Sequence, residues 1–403
     1  MKNYISTFFV ITSFAICKNN YPIVFIHGFL GWGPNEMGNY NYWGGDSDIC
    51  GLLRNEGYQV FEVSVGPISS NWDRAIEVFY QLKGGQVDYG KGHSEKYDII
   101  QKPEIKFYEG LYPEWDENNP IHLIGHSMGG QTARVLNYML NNIIYVDSLK
   151  RGKEKSKLLG EINKNWICSI STISTPHDGI TLGDHLNKNF SFIQYFIGLA
   201  GVIGTDFYNF DLEQWGFSRK EDESWGQYVE RIRDNKIWDS KNISSWDLSL
   251  LGARQINSYA RGDKNVYYFS ISTSVTEKNK KNDWHTPQEG SPLLIQARAR
   301  IIGKRVGYWE DGSETDSTWY ENDGLVNTIS MSGPKTGEKG SDQIIRFNKD
   351  ISQFLPGQWY SIGPLRMDHW NIIGHKMQLK ETSENSINFF KEHALRLMNL
   401  TKK

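Results

Sequence analysis

Short apolar runs alternate with amphipathic stretches along this chain. Tyr21–Ile26 (YPIVFI), Ile121–Ile124 (IHLI), Ile167–Ile173 (ICSISTI) and Val266–Ile271 (VYYFSI) are rich in β-branched and aromatic residues and lack strict polar alternation. Runs of that kind suit strands covered on both faces of a mainly parallel sheet. Between them, helical patterning predicts helices over Ile49–Asn55, Asp73–Leu82, Gly130–Asn141, Glu223–Asp234 and Ile387–Met398. Strands alternating with helices predict a layered α/β fold built on one sheet. No repeat and no Pro- or Ser-rich linker divides the chain. A single domain over 18–403 is therefore expected, with insertions at about 68–116 and 185–250 where the alternation fails.

The first residues follow a different pattern. Met1-Lys2 supplies a charge, Ile5–Ile16 is mostly apolar, and Ala15 and Cys17 are small residues spaced as at a cleavage site. This predicts a secretory signal over residues 1–17. After it, no apolar run approaches the ~20 residues that a spanning helix needs, which excludes a polytopic membrane protein.

Composition narrows the function further. The 403 residues include 19 Phe, 21 Tyr and 14 Trp, enough aromatic bulk to exclude a disordered chain. Forty-four Lys and Arg face 47 Asp and Glu, for a net charge of −3. No general basic field exists to hold nucleic acid or an anionic membrane. Of the three cysteines, Cys17 falls in the leader. Cys50 and Cys168 remain, and spacing does not decide whether they pair.

Chemistry concentrates at Gly125-His126-Ser127-Met128-Gly129. This G-x-S-x-G follows an apolar strand and precedes a helical pattern, the context of a nucleophile elbow. The turn is so tight that only small residues fit two before and two after the serine. A nucleophilic serine needs a base, and the base needs an orienting carboxylate. In such a fold the chain order is Ser, acid, His. Among the histidines after Ser127 (177, 185, 285, 369, 375 and 393), His369 in RMDHW is the best placed, and His393 is expected on a surface position of the last helix. Asp323 in ENDGLV stands at an Asp-Gly turn and Asp178 in TPHDG comes just after a strand, and pattern alone leaves both open, with Asp323 ahead. Oxyanion donors are expected at the amides of Met128 and of Phe29, in the HGFLG loop after the first strand. His27 is expected to order that loop. Phe190–Gly204 (FSFIQYFIGLAGVIG) is apolar on nearly every face, and its place in an insertion suggests a lid over an acyl cleft.

These motifs together resemble the secreted lipases of staphylococci and thermophilic bacilli, which have the α/β-hydrolase fold. The resemblance runs from about Pro22 to Asn371 and rests on PIVFIHGFLGWG, YWGG, VGPISSNWDRA, GGQVDYG, HLIGHSMGGQTAR, STPHDG, DLSLLGA, WYENDGLVN and MDHWNIIG. It implies Ser127, Asp323 and His369 as the catalytic triad, Phe29 and Met128 as oxyanion donors, and a lid near 190–204. The implied substrates are carboxylic esters of water-insoluble lipids, chiefly triacylglycerols, met at an oil–water or membrane interface. A carboxylesterase or phospholipase with the same triad is the alternative, and an inactive binding protein a remote one. No cofactor is needed for this chemistry.

The resemblance also implies a zinc site of two Asp and two His. Asp73, His93 and Asp247 match three of the ligands, and Ile99 stands at the fourth. Zinc normally takes four ligands. An altered zinc site is expected, with Asp98 or Glu95 as candidates for the missing one. The calcium ligands of the family fall on Asn371 and Lys376, a poor set for a cation that prefers several oxygens, so no calcium requirement is expected.

Overall fold

The four apolar runs all become strands, and what surrounds them shows why they lack alternation. A computed structural model describes residues 19–182, 213–217, 236–348, 353–375 and 382–401, with a few positions between 220 and 231. In chain order the strands are β1 (Ile23–Ile26), β2 (Val60–Val63), β3 (Gly85–Gln86), β4 (Phe107–Tyr108), β5 (Ile121–His126), β6 (Ile167–Ile173), β7 (Tyr267–Thr273), β8 (Thr276–Lys278), β9 (His285–Pro287), β10 (Ile344–Arg346) and β11 (Trp359–Leu365). Seven form one sheet in the order β10-β11-β7-β6-β5-β1-β2. Every neighbouring pair in it is parallel. The pairs β3–β4 and β8–β9 are separate antiparallel ribbons.

The central strands β1, β5, β6 and β7 are buried along their whole length. Successive side chains point to opposite faces, so each strand feeds two apolar clusters. Phe25, Ile124 and Phe269 pack on one side, with Trp43 and Phe390. Val24, Leu123 and Tyr268 pack on the other, with Phe79 and Leu136. Helices α1 (Ile49–Asn55), α2 (Asn71–Lys83), α3 (Lys91–Tyr97) and α4 (Met128–Asn141) open the helical layers, and helix Thr382–Met398 closes the chain. The Ser70 side chain caps α2 by accepting from the Asp73 amide at 3.1 Å, a contact worth about 1 kcal/mol. Among the described residues no helix is long and apolar enough to cross a membrane.

Several elements have no counterpart in the apolar pattern. β2 and β10 are the sheet edges, short and mixed with Glu62 and Arg346, so they lack a continuous apolar run. Helix Lys91–Tyr97 sits inside the first expected insertion, and helix Leu250–Tyr259 begins where the second was expected to end. His393 is a correction: it is buried, and its Nε2 lies 2.7 Å from Ser171 Oγ on β6, because the face of the last helix that carries it packs on the sheet. Cys50 and Cys168 are free thiols, each buried in the core. The leader over 1–17, the apolar stretch 190–204 and nearly all of the expected helix 223–234 lie outside the described residues.

Strand order locates the site. From β5 the chain moves outward through β6 and β7, whereas β1 leads to β2 on the other side. Ligands of open α/β sheets bind at the carboxyl ends of strands where that order reverses. Here the reversal lies between β1 and β5, whose carboxyl ends carry the His27-Gly28-Phe29 loop and Ser127.

Candidate active site

Ser127 stands alone between strand and helix. β5 ends at His126, α4 begins at Met128, and the serine takes φ 54°, ψ −127°. A non-glycine residue held there costs on the order of 1–3 kcal/mol. The neighbours hold it in place: its N–H donates to the Ile173 carbonyl at 2.8 Å, and its carbonyl accepts from the Gly130 amide at 3.1 Å. The motif's glycines have steric causes. A Cβ on Gly125 would lie 2.4 Å from backbone atoms of Gly129 and Gly130, and one on Gly129 would lie 2.2 Å from the Ile26 carbonyl oxygen.

The loop after β1 packs directly on this turn. A Cβ on Gly28 would come within 2.8 Å of the Ser127 Cβ. The fully buried Arg74 of α2 fixes the loop from beneath: its guanidinium donates to the carbonyls of His27 and Gly28, to the Gly66 carbonyl at 3.0 Å and to Thr132 Oγ1 at 3.1 Å. His27 orders the loop, as expected. Its Nδ1 donates to the Gly28 carbonyl at 2.8 Å and its Nε2 accepts from the Val65 amide at 3.1 Å. Burial, aided by Arg74, lowers the His27 pKa to about 3, so the ring stays neutral. Phe29 thus sits beside the serine, and Met128 opens α4, where first-turn amides have no partner within the helix.

His369 and Asp323 meet at the same edge. His369 Nδ1 donates to Asp323 Oδ2 at 2.7 Å, and Thr273 Oγ1 donates to that oxygen at 2.9 Å. Asp323 Oδ1 accepts the Leu325 and Val326 amides at 3.0 and 2.8 Å. Four donors therefore orient a carboxylate with no exposed surface. With Nδ1 committed as donor, His369 keeps a lone pair on Nε2. Ser127 and His369 line one narrow cleft, walled by Phe29, Tyr42, Ile180, Leu325 and Trp370.

The sequence reading missed a second layer. Tyr42 accepts from the Gly28 amide at 2.8 Å and lies 2.6 Å from His126 Nδ1. His126 Nε2 lies 2.9 Å from the His369 carbonyl oxygen, which can only accept. Nε2 therefore carries the proton, and Nδ1 accepts from the Tyr42 hydroxyl. Burial, with His369 adding, holds the His126 pKa well below the usual range, consistent with this neutral form. One chain of bonds thus ties the loop after β1, the elbow and the His369 loop together. Both residues lie in the motifs YWGG and GHSMG, but partners 84 and 243 residues away leave no local signal.

The competing residues are otherwise engaged. Asp178 accepts from the Lys335 and Thr336 amides, Thr336 Oγ1 and Asn257 Nδ2 at 2.8–3.1 Å, and so pins a loop. His177 is buried against Arg134 and Thr172. His375 bonds the Tyr42 carbonyl at 2.7 Å. His285 is half-buried beside Thr276, and His185 lies outside the described residues.

The metal candidates fit less well. His93 Nε2 touches Asp73 Oδ1 directly at 2.7 Å, and Asp247 Oδ2 accepts the Asn71 amide at 2.5 Å. Ile99 is buried apolar surface. Glu95 and Asp98 are exposed, Glu95 beside Lys91 at 3.7 Å. Among the described residues, no three His, Cys, Asp or Glu side chains come together as a metal site. Near the other site, Asn371 Nδ2 donates to the His375 carbonyl at 3.0 Å, and Lys376 lies outside the described residues.

The chain is similar to known proteins along most of its length. A family profile described as "Lipase-like, C-terminal domain" matches residues 19–402. The chain is 36% identical over 368 residues to Lipase 2 of Staphylococcus aureus (strain MRSA252), covering 88% of this chain and 50% of that relative. The chain thus spans about half the length of the curated relatives it matches. EstA from Clostridium botulinum superposes with a TM-score of 0.87 at 35% identity, covering 100% of this chain and 93% of that one. Lipase 1 from Pelosinus fermentans gives 0.81 at 36%, covering 95% and 100%.

Proposed function

The chain belongs to the lipase-like C-terminal domain family, and on that premise we propose that it hydrolyses carboxylic esters of water-insoluble lipids, triacylglycerols first, through an acyl-enzyme on Ser127. The observation that carries this reading is the His369–Asp323 pair, 2.7 Å apart, with His369 lining the same apolar cleft as the elbow serine. His369 Nε2 takes the Ser127 proton as Oγ attacks the ester carbonyl. Asp323 holds the ring in the tautomer that leaves Nε2 free and stabilises the imidazolium that forms. The Phe29 and Met128 amides donate to the oxyanion. His369 then protonates the departing alcohol, and water releases the fatty acid by the same route. Every acid, base and donor in this scheme belongs to the chain.

The apolar stretch 190–204 supports a lid that opens at a lipid surface, and the leader-like pattern over 1–17 supports secretion. Polar replacements at Phe192 and Phe196 are expected to lower activity on emulsions more than on a soluble short ester. Hydrolysis of emulsified triolein, tributyrin, a soluble butyrate ester and phosphatidylcholine by the purified protein tests the substrate class. Turnover of triolein above the soluble ester supports a lipase. Activity confined to the soluble ester, or to phosphatidylcholine, replaces it with an esterase or a phospholipase.

A further inference from the structure

The structure holds a second Asp–His pair with a buried carboxylate, built on different terms. Asp73 lies next to Arg74 on α2 and has no exposed surface. His93 meets its Oδ1 at 2.7 Å. Its Oδ2 accepts from Asn242 Nδ2 at 2.7 Å and Gln214 Nε2 at 2.9 Å. Both amides are oriented by their other ends. Asn242 Oδ1 accepts from Ser70 Oγ at 2.7 Å, and Gln214 Oε1 accepts from Ser69 Oγ at 3.3 Å, while the nearby Tyr89 hydroxyl gives its proton to Glu77 Oε1 at 2.6 Å. Their NH₂ groups therefore face the carboxylate.

This is not the geometry of a zinc centre. Ligand atoms bound at about 2.0 Å around a tetrahedral ion sit about 3.3 Å apart, and their lone pairs point at the ion. Here the imidazole and the carboxylate touch each other, and N–H protons occupy the space in front of the second oxygen. Buried Ile99, at the position of the fourth ligand, offers no donor atom.

We propose that this cluster is a metal-free clip, in which His93, Gln214 and Asn242 donate to Asp73 in place of the zinc that the family resemblance assigns there. Charge-assisted hydrogen bonds to a buried carboxylate are the strong ones. The clip joins α2 to Gln214 and Asn242, in the insertion beyond the sheet. The Ile100 amide adds a bond to the Gln214 carbonyl at 2.7 Å. The same helix carries Arg74, so the clip also steadies the support of the Gly28 loop.

The test uses protein purified from zinc-supplemented medium without chelator, read by elemental analysis and by Tm with and without EDTA. The expected result is far less than one equivalent of zinc and no change of Tm in EDTA. Asn242→Ala and Gln214→Ala should each lower Tm by about 2–4 °C, the shift that losing one such bond gives in a large domain. One equivalent of zinc, or a Tm lowered by EDTA, would overturn the proposal. So would alanine variants that melt with the wild type.

Discussion

Two Asp–His pairs, Asp323–His369 and Asp73–His93, share a 2.7 Å contact and a fully buried carboxylate. What separates them is the rest of each residue's surroundings. Asp323 binds Nδ1 of its histidine, and His369 lines a cleft that Ser127 also lines. Asp73 binds Nε2 of its histidine, whose ring is stacked on Trp72 at 5.6 Å, and its second oxygen is taken by two side-chain amides. The pair alone therefore carries no chemistry. Sharing a cleft with a serine is what lets one serve as the proposed proton relay, whereas the other is proposed as a fastening.

The sharpest way to break this contrast is to treat the two histidines alike. His369→Asn and Ser127→Ala are each expected to lower kcat by about 10⁴-fold or more. His93→Asn should leave kcat nearly intact and lower Tm. Comparable losses from His93→Asn and His369→Asn in ester hydrolysis would dissolve the distinction.

A smaller effect is expected from the layer behind the triad. Tyr42→Phe removes the hydroxyl that joins the Gly28 amide to His126. Losing one positioning bond of about 1.4 kcal/mol gives about a tenfold fall in kcat, with KM little changed. Tyr89→Phe, which removes a hydroxyl from the Asp73 side, should shift Tm alone. The reverse outcome would move the positioning role from one region to the other.

Asp178→Asn should likewise act on stability. Its carboxylate orders the Lys335–Thr336 backbone, and weakening those bonds costs about 1–3 kcal/mol. Asp323→Asn should instead keep the fold and lose turnover. Kinetics and thermal melts on both variants check the ranking.

A further effect is pH-dependent. His27 and His126 are held neutral, His27 with its pKa lowered to about 3 and His126 in the same direction. A histidine with a depressed folded pKa contributes stability that is full above about 6.5 and is lost as pH falls toward the folded value. Tm should therefore decline from pH 6.5 to pH 4. A flat Tm across that window would contradict the buried neutral network.

Legibility in the sequence followed locality. Strands β1, β5, β6 and β7 announced themselves because burial on both faces demands unbroken apolar runs. The elbow did so because G-x-S-x-G is contiguous in the chain, although only Gly125 answers a clash within a few residues and Gly129 answers the distant Ile26 carbonyl. The edge strands β2 and β10 carry polar residues on their open sides, and gave no comparable signal. Pattern alone leaves both Asp323 and Asp178 open, and only their distant partners, His369 in one case and the Lys335 backbone in the other, tell them apart. His393 was expected at the surface because its neighbours are polar, whereas Ser171 on β6 supplies its buried partner. The candidate zinc ligands were legible as residue types. The amides of Gln214 and Asn242, which occupy the carboxylate instead, lie far along the chain.

The central claim is that Ser127 carries the acyl group, and active-site labelling tests it most directly. An alkyl phosphonate ester that mimics the tetrahedral intermediate should inactivate the enzyme with one equivalent bound. Peptide mass spectrometry should find the adduct on the peptide containing Ser127, and Ser127→Ala should take no label. Full inactivation with the adduct on another residue, or ester hydrolysis that survives in Ser127→Ala, would contradict the account.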